Sequence, residues 1–416
     1  MTTILIAGGG IGGLAAALAA AGAGHRVTVL ERQGAFAELG AGIQIAPNGF
    51  QALDRLGVGD VVRARAVHVD ELRLMDGTTG ARVQRLPLDD RYRARFGNPY
   101  AVVHRADLHA ALLAACRDSE RITLRGGSTV TGYTRWDGGV ELRLDGGASL
   151  SGDALVGADG IRSAIRARLI GDGEPLVSGH TIYRSVIPMD EVPAELRWNA
   201  VTLWAGPGWH FVHYPIGGGR FLNLAATRDN GATVAVTGLE APRDLVLRAF
   251  PELGDTARRL LELGREWREW VLCDRDPVSG WTDGPVALLG DAAHPMLQYA
   301  AQGACMALED AVVLGRALAG ARDGGDCAEA FAAYEAERGE RTARTTLVAR
   351  EMGRQLYHPR GAEALARNAY LSGLSTEELH GKVSWLHAGP PDAPGGLAAA
   401  LPAPAAAAGP ASVSVT

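Results

Sequence analysis

The sequence predicts an α/β protein in which a parallel sheet flanked by helices carries an inserted antiparallel sheet and is followed by C-terminal helices. Three observations lead to this fold class. Residues 3–31 read as strand, tight glycine turn, helix and strand. Two later apolar strands, ending at Asp159 and Asp291, each turn into a helix in the same way. Between residues 178 and 274 the pattern changes to short alternating strands separated by glycine turns, which is typical of antiparallel hairpins.

The composition excludes several classes of protein. With 416 residues, 47% of them hydrophobic, the chain can bury a sizeable core, and a net charge of −6 offers no attraction for a phosphate backbone. The four cysteines lie far apart, so neither a zinc cage nor a disulfide framework is indicated. The only lysine, Lys382, is in no phosphate-binding GxxxxGK[ST] loop. We therefore expect a cytoplasmic protein with no nucleic-acid partner, no membrane partner and no metal site.

The first turn of the chain carries a dinucleotide-binding fingerprint. Gly8, Gly10 and Gly13 fit GxGxxG, and Glu31 follows at the end of the second strand. Gly8 permits the sharp turn, Gly10 lets the backbone approach a pyrophosphate, and Gly13 lets the helix pack closely on the strand. Glu31 would accept hydrogen bonds from a ribose diol and would repel a 2′-phosphate. The fingerprint therefore predicts FAD or NAD rather than NADP at this turn.

The turns that follow the two later strands extend this expectation. Ligands of parallel sheets bind beyond the carboxyl ends of the strands. Because three such turns would lie on one edge of the sheet, we expect them to hold a single long ligand. No second GxGxxG lies between a strand and a helix, so a nicotinamide nucleotide has no visible domain of its own.

Taken in order, these motifs resemble those of a known family. GxGxxG with Glu31, the run GADGIRS at 157–163 and the run LLGDAAHPMLQYAAQGACMALEDA at 288–311 are similar to the single-component FAD-dependent aromatic hydroxylases, or group A flavoprotein monooxygenases. The resemblance extends to about residue 350 and is greatest for the branch that contains 3-hydroxybenzoate 6-hydroxylase and salicylate hydroxylase. It implies a Rossmann-like FAD-binding domain.

The resemblance also implies a role for each turn. The glycine fingerprint and Glu31 would hold the ADP half of FAD, with Arg105 beside the pyrophosphate. Asp291 would bind the ribityl or pyrophosphate portion. The N–H groups of Gly303 and Ala304, at the start of a helix, would meet the carbonyl edge of the flavin and favour negative charge on it.

The same family resemblance implies a mechanism. Asp159 and Gly160 would lie where FAD binding is coupled to the transient binding of NADH or NADPH. NAD(P)H would reduce FAD, dioxygen would add to give a flavin hydroperoxide, and its distal oxygen would attack an electron-rich aromatic ring. Water must be excluded, since otherwise the adduct is lost as hydrogen peroxide. We expect the inserted sheet to exclude it.

Hydroxylation of a phenol is helped when the substrate becomes a phenolate, so we expect a histidine together with a neutral donor in the pocket. His213, in HFVHYP, and Gln302, in AAQG, are the predicted pair. Strand alternation puts His210 and His213 on opposite faces, so that at most one of them enters the pocket. A buried structural histidine and a helix-start cap remain alternatives for the predicted pair. Weaker candidates for lining the pocket are Tyr100, Tyr183 and Arg184.

The predicted domain organisation is discontinuous. Its parts are an FAD-binding domain at 1–177 and 275–350, a substrate domain at 178–274 to which 71–99 can contribute, a C-terminal helical extension at 351–387, and a low-complexity tail at 388–416. We expect a monomer or homodimer that binds a small aromatic substrate, dioxygen and NAD(P)H.

The leading expectation for the reaction is conversion of 3-hydroxybenzoate to gentisate. A salicylate-type decarboxylative hydroxylase and a hydroxylase of another aromatic or specialised metabolite remain alternatives. In a different class, a non-catalytic flavin-binding protein or an NADH oxidase also remains open.

Overall fold

The structure is a computed structural model that describes residues 2–37, 41–136 and 138–390. The low-complexity tail is predicted to begin at residue 388, and its residues from 391 onward lie outside the described part of the chain. The strands are β1 (Thr3–Ala7), β2 (Arg26–Leu30), β3 (Gly42–Ile45), β4 (Val67–His68), β5 (Glu71–Asp76), β6 (Arg82–Pro87), β7 (Ala101–His104), β8 (Ile122–Arg125), β9 (Val130–Trp136), β10 (Gly139–Leu144), β11 (Ser149–Gly152), β12 (Ala154–Gly157), β13 (Leu176–Pro188), β14 (Ala200–Gly206), β15 (Trp209–Ile216), β16 (Phe221–Asp229), β17 (Thr237–Glu240), β18 (Arg268–Asp274) and β19 (Val286–Leu288). The helices are α1 (Ile11–Gly22), α2 (Pro47–Arg55), α3 (Gly59–Arg65), α4 (Asp90–Phe96), α5 (Arg105–Arg117), α6 (Ala164–Leu169), α7 (Arg243–Ala249), α8 (Asp255–Leu263), α9 (Gly303–Ala317), α10 (Gly324–Met352), α11 (Gly361–Ser372) and α12 (Thr376–His387).

A five-stranded parallel sheet forms one layer, in the order β19-β12-β1-β2-β8. Its central strand β1 is buried from Ile4 to Ala7, because strands of such a sheet are covered on both faces and need apolar side chains on both. α1 and α9 pack so closely that a Cβ added at Gly315 would lie 2.7 Å from the Cβ of Ala19. The carboxyl ends of β1, β12 and β19 lie side by side at one edge, which we call the cofactor edge.

An eight-stranded sheet forms a second layer, in the order β17-β18-β13-β16-β15-β14-β5-β6. Its neighbouring strands are antiparallel except for β14 and β5, which are parallel. Strands β13 to β18 are inserted between the last two strands of the parallel sheet, whereas β5 and β6 come from an earlier part of the chain. Two small antiparallel sheets, β11-β10-β9 and β3-β7-β4, complete the described strands. The predicted fold class is confirmed.

The two faces of the eight-stranded sheet pack against different partners. One face, which includes Trp204 and Phe211, forms a hydrophobic core with α7 and α8. The other face meets the segment that carries β3. There the Tyr214 hydroxyl donates to the carbonyl of Gly42 at 2.9 Å, and Asn223 Oδ1 accepts from the N–H of Gly42 at 3.1 Å. We call the first the core face and the second the inner face.

The described part of the chain ends in the helices α10, α11 and α12. α10 begins at a cap in which the Asp323 side chain accepts from two backbone N–H groups, and it ends in a π-helical turn at Gly353–Tyr357. Arg341 donates to the carbonyls of Trp385 and Leu386, which ties α12 to α10. Within the described residues, no helix combines the length and the apolar character needed to cross a bilayer.

Candidate active site

The glycine turn after β1 has the geometry of a phosphate site. Gly8 has a φ of +104°, and a Cβ there would lie 2.3 Å from the carbonyl oxygen of Ala158, so a side chain cannot be accommodated. A Cβ at Gly13 would lie 2.0 Å from the carbonyl oxygen of Gly8. α1 follows Gly10 with no side-chain cap and no acidic residue in its first turn. Its N–H groups and positive dipole end are therefore available to an anion.

Glu31 lies next to this turn. Its carboxylate accepts from the N–H of Gly9 and from the N–H of Gln33, each at 2.9 Å, so it is held at the end of β2 where a ribose would lie. Arg105 begins α5, the helix on which His109 contacts the carbonyl of Gly9 at 2.8 Å. Because residues four apart share a helix face, Arg105 lies on the side of α5 that meets the glycine turn.

The turn after β19 places a carboxylate beside a second uncapped helix. Asp291 is exposed, and its Oδ1 lies 3.9 Å from the position that a Cβ on Gly303 would occupy. α9 begins at Gly303, followed by Ala304, with no side-chain cap. Just before it, Ala301 has a φ of +52°, a conformation that costs a non-glycine residue about 1–2 kcal/mol. The backbone is thus held in a strained turn that leaves the helix start open.

The third turn, after β12, is built differently. Asp159 Oδ2 accepts from the N–H of Ala164 at 2.8 Å, and the Ser163 hydroxyl accepts from the N–H of Arg166 at 2.8 Å. The N-terminus of α6 is therefore capped by side chains of the preceding turn. Gly160 has a φ of +82°. Asp159 Oδ1 is buried without a hydrogen-bond partner, and burial raises the pKa of the carboxyl. A buried polar atom without a partner is costly, and a ligand group that donates to it would remove that cost.

These features fit FAD, which we take to lie along the cofactor edge with its adenine end at the first turn. The positions that would hold it are Gly8, Gly10, Gly13, Glu31, Arg105, Asp159, Gly160, Asp291, Gly303 and Ala304. Their individual roles remain proposals. The glycine turn that excludes a Cβ, the two uncapped helices and the unpartnered carboxylate oxygen are the observations that support them.

A buried charge network lies beneath the start of α9. His294 Nε2 lies 2.5 Å from Asp310, and Arg338 donates to Asp310 at 2.7 Å and to Glu309 at 2.6 Å. Burial alone would raise the pKa of Asp310, but His294 and Arg338 lower it to about 2. The two carboxylates are therefore paired with cationic or donor groups and hold α9 in place, while Nδ1 of His294 is buried without a partner. His294 acts on the turn through Asp310, which also accepts from the N–H of Gly290 at 3.1 Å.

A polar cluster occupies the inner face where it meets the segment between β19 and α9. His210 on β15 is buried, and its Nδ1 lies 2.8 Å from Nε2 of His358. Tyr299 lies beside it, with ring centroids 5.5 Å apart, and the Tyr299 hydroxyl lies 2.5 Å from Nδ1 of His180. We call these four side chains, together with Tyr357, whose ring is 4.7 Å from that of His210, the histidine–tyrosine cluster.

The structure does not bring His213 to this face. Its cross-strand partners are Thr202 and Leu224, and its ring lies among those of Trp198, Trp204 and Phe211 in the core packed by α7 and α8. Both ring nitrogens are buried without partners, and burial, followed by Arg73, lowers the pKa of His213 to about 3. His213 therefore lies on the core face, and the histidine of β15 that reaches the inner face is His210. Strand alternation separates the two histidines as predicted.

Gln302 is likewise not on the inner face. Its Oε1 accepts from Asn48 at 2.9 Å, and it makes no side-chain cap, although it is the residue before α9. The amide that does reach the inner face is Gln298, four residues earlier. Gln298 Oε1 accepts from Arg184 at 2.8 Å, and its Nε2 donates to the Thr227 hydroxyl at 3.4 Å. Of the two glutamines, Gln298 is therefore the one that shares the inner face with His210.

The weaker candidates divide between the two faces. Arg184 lies on the inner face, whereas Tyr183 lies in the core packed by α7 and α8. Tyr100 is buried and donates to Gln44 Oε1 at 2.6 Å. The sequence did not single out His358 as part of this cluster. It lies in the predicted C-terminal helical extension, after a π-helical turn that has no sequence signature of its own. The alternation in HFVHYP could have indicated His210, since Trp209 and Phe211 share the face of His213 and make it the more apolar one.

Comparison with known proteins agrees with this architecture. A family model described as an FAD binding domain matches residues 1–185 and 256–349. Over 384 residues the chain is 47% identical to 3-hydroxybenzoate 6-hydroxylase 1 of Aquipseudomonas alcaligenes, covering 92% of this chain and 97% of that protein. It is 42% identical to 3-hydroxybenzoate 6-hydroxylase of Polaromonas naphthalenivorans, covering 92% and 95%. The crystal structure of Klebsiella pneumoniae HpxO complexed with FAD and uric acid has a TM-score of 0.83 at 27% identity, covering 93% and 97%.

The fold and the cofactor edge define a flavoprotein that binds FAD. More narrowly, the chain belongs to the single-component FAD-dependent aromatic hydroxylases, a family of monooxygenases. The family and the cofactor predicted from the motifs are confirmed.

Proposed function

We propose that the protein hydroxylates 3-hydroxybenzoate at carbon 6 to give gentisate, using NAD(P)H and dioxygen. The two relatives described above are named for 3-hydroxybenzoate 6-hydroxylation, and they match this chain over most of its length. In the structure, the observation that carries the proposal is the grouping of Arg184, Gln298 and His210 on the inner face. A cation, a neutral donor and a neutral base are the groups that a phenolic carboxylate requires.

Arg184 is the proposed partner of the substrate carboxylate. Its guanidinium donates to Gln298 and lies 5.6 Å from the ring centroid of Trp270, while its Nε is buried without a partner. Burial lowers the pKa of the guanidinium, which indicates that its charge is poorly compensated. The residue is half-buried, and because a cation that is partly removed from water without an anion is costly, a carboxylate bound in its fork would be favoured.

His210 is the proposed partner of the substrate phenol. A phenol with a pKa of ~10 facing an imidazole at ~6.5 makes complete proton transfer uphill by roughly 3.5 pH units, about 5 kcal/mol. Burial, followed by His358 and His180, lowers the pKa of His210 still further. The imidazole is therefore neutral and accepts a hydrogen bond from the phenol. Complete transfer requires a second group that stabilises the phenolate.

Gln298 supplies that second group. Arg184 has only donors, so the carbonyl oxygen of Gln298 must face it, and the amide NH₂ turns towards Thr227. Thr227 is the cross-strand partner of His210, so the amide and the imidazole converge on one part of the inner face. The second N–H of Gln298 would then be available to donate to the phenolic oxygen that His210 binds. A neutral donor there stabilises negative charge on the phenolic oxygen.

When bound, FAD supplies the electrons it takes from NAD(P)H and the activated oxygen that is transferred to the ring. The residues of the chain bind and orient the aromatic acid, hold the phenolic proton at His210, and keep water out. The eight-stranded sheet supports the last role, because its inner face meets both the segment that leads into α9, through Arg184 and Gln298, and the segment that carries β3, through Tyr214 and Gly42.

The chain organisation supports a division of labour that we propose on the predicted boundaries. Residues 1–177 and 275–350 would form the FAD-binding domain, and 178–274 would form the substrate domain with β5 and β6 from within 71–99. The extension at 351–387 would belong to the substrate side, since Tyr357 and His358 reach the inner face. A monomer and a homodimer are both compatible with this division.

The test is a product analysis with the purified FAD-loaded protein. We expect 3-hydroxybenzoate to accelerate NADH or NADPH oxidation and to yield gentisate, with little hydrogen peroxide. Salicylate and 4-hydroxybenzoate are the comparison substrates. Their hydroxyl groups are at different ring positions relative to the carboxylate, so the two groups should not reach Arg184 and His210 at the same time. Catechol formed from salicylate at a higher kcat/KM would favour the decarboxylative alternative, and peroxide as the sole product with every ring would favour an NADH oxidase.

A further inference from the structure

We propose that His358, from the C-terminal extension, is a positioning residue that holds His210 in the tautomer able to take a proton from the substrate. The proposal rests on the function proposed above and adds to it the part played by the π-helical turn. It is carried by the 2.8 Å contact between His210 Nδ1 and His358 Nε2.

The turn that carries His358 is held against the cluster at several points. A Cβ at Gly353 would lie 2.8 Å from the ring of Tyr299, so the turn packs directly on that ring. The Tyr357 hydroxyl donates to the carbonyl of Tyr299 at 3.0 Å. The carbonyl of His358 accepts from the N–H of Gly208, in the hairpin that precedes His210, at 3.3 Å. The separation of the two imidazoles is therefore fixed by backbone on both sides.

Two neutral imidazoles share a hydrogen bond only when one donates and the other accepts. If His210 is to accept a proton at Nε2, its own proton must lie on Nδ1, and that N–H needs an acceptor. Among the described residues, His358 Nε2 is the acceptor within hydrogen-bond distance of His210 Nδ1. The hydrogen bond made by one ring nitrogen sets which nitrogen is protonated, so His358 determines whether His210 can act as a base.

The surroundings keep His358 uncharged, so that one of its ring nitrogens is able to accept a hydrogen bond. The groups that face it are His210, Tyr299, His180, whose ring centroid lies 4.9 Å away, and Arg360. Burial lowers the pKa of His358 to about 3, with His180 and Arg360 acting in the same direction. At neutral pH it is therefore an uncharged acceptor. Once His210 gains a proton, the same contact becomes a charge-assisted hydrogen bond, which stabilises the imidazolium.

The first measurement is the tautomer of His210 in the FAD-loaded, substrate-free protein, by nitrogen NMR with ¹⁵N-labelled histidine. The His210 resonances are identified by their loss in His210→Leu. We expect the proton on Nδ1 in the wild type and on Nε2 in His358→Leu. His358→Gln should restore the wild-type tautomer, because its carbonyl oxygen can accept where Nε2 accepts now. An unchanged tautomer in His358→Leu would refute the proposal, whatever the substrate proves to be.

The second measurement is steady-state hydroxylation of 3-hydroxybenzoate. His358→Leu should lower kcat by about 10- to 100-fold with a much smaller change in KM, and His358→Gln should recover most of that loss. The matched control is His380→Leu, a buried histidine of the same extension that packs on Tyr92 and Phe96. An equal loss in both His358 variants, or in the control, would mean a structural role only. Absence of gentisate from the wild type would refute the proposed function and leave the NMR result to stand by itself.

Discussion

The position of His213 in the core face makes a quantitative prediction about stability. His213→Leu replaces a fully buried imidazole, whose two ring nitrogens have no partners, with an apolar side chain of similar volume. Because an unsatisfied buried polar group costs about 1–3 kcal/mol, the variant should be as stable as the wild type at pH 7.5, or more stable by about 1–2 kcal/mol. A residue at the catalytic centre would not be expected to behave in this way.

The larger effect appears at low pH. The pKa of His213 is about 3 in the folded protein, below the 6.5 of the unfolded chain. Its pKa is depressed on folding, so stability is full above pH 6.5 and is lost as the pH falls towards the folded pKa. At pH 4.5 the protonated form of His213 outnumbers the neutral form by ~100:1 in the unfolded chain, while the folded protein keeps it neutral. At 1.4 kcal/mol per factor of ten, this preference lowers the free energy of unfolding by about 3 kcal/mol. His213→Leu removes this contribution.

The assay is urea unfolding of the FAD-loaded protein at pH 7.5 and at pH 4.5, followed by tryptophan fluorescence. Trp204 and Trp209 line the same core as His213, so the signal reports on the right region. The wild type should lose about 3 kcal/mol more than His213→Leu between the two pH values. Other buried histidines contribute equally to both proteins and cancel in the difference. Equal losses, or loss of hydroxylation with FAD still bound in His213→Leu, would show that the reasoning is wrong.

Three further substitutions test the rest of the site. Gly13→Ala places a Cβ 2.0 Å from the carbonyl oxygen of Gly8, so FAD should be lost, as measured by the ratio of flavin to protein absorbance. Arg338→Met leaves the buried Asp310 without its arginine, while Glu309 keeps only Arg341, and the change should cost about 3–5 kcal/mol in thermal unfolding. Gln298→Glu keeps an oxygen acceptor but removes the NH₂ donor and adds negative charge, so kcat for 3-hydroxybenzoate should fall about 100-fold with a rise in peroxide.

Matched variants accompany these substitutions. Gly34→Ala adds a Cβ that meets nothing within 4 Å, so it should retain FAD. Arg344→Met changes an exposed arginine on the same helix as Arg338 that stacks on Trp385, and it should cost under about 1 kcal/mol. Retention of FAD in Gly13→Ala, equal losses in the two arginine variants, or undiminished coupling in Gln298→Glu would each contradict the corresponding assignment.

The cofactor side was predictable because its signals are local. A turn that must exclude side chains requires glycine, and a strand end followed by an uncapped helix is visible within a few residues of sequence. Gly8, Glu31 and Asp291 could therefore be placed without knowledge of distant parts of the chain. The apolar runs of the parallel strands likewise predicted their burial, since both faces are covered.

The substrate side was not predictable in the same way. Alternation along β15 showed that His210 and His213 face opposite sides, but the identity of the inner face depends on α7 and α8, which pack on the other one. Gln298 and Gln302 lie on either side of the strained residue Ala301, and they bond to different parts of the chain, Gln298 to Arg184 and Gln302 to Asn48. His358 reaches the site through a π-helical turn more than a hundred residues away in sequence, and no periodicity indicates it.

The sequence by itself determined the class of enzyme and its cofactor, because the motifs that indicate them depend on backbone conformation within short segments. Only the tertiary structure decided which histidine and which glutamine lie on the inner face of the eight-stranded sheet. Their positions follow from which face of the sheet is covered by α7 and α8 and which is left to meet the segment before α9, and that is a property of packing between segments far apart in the chain.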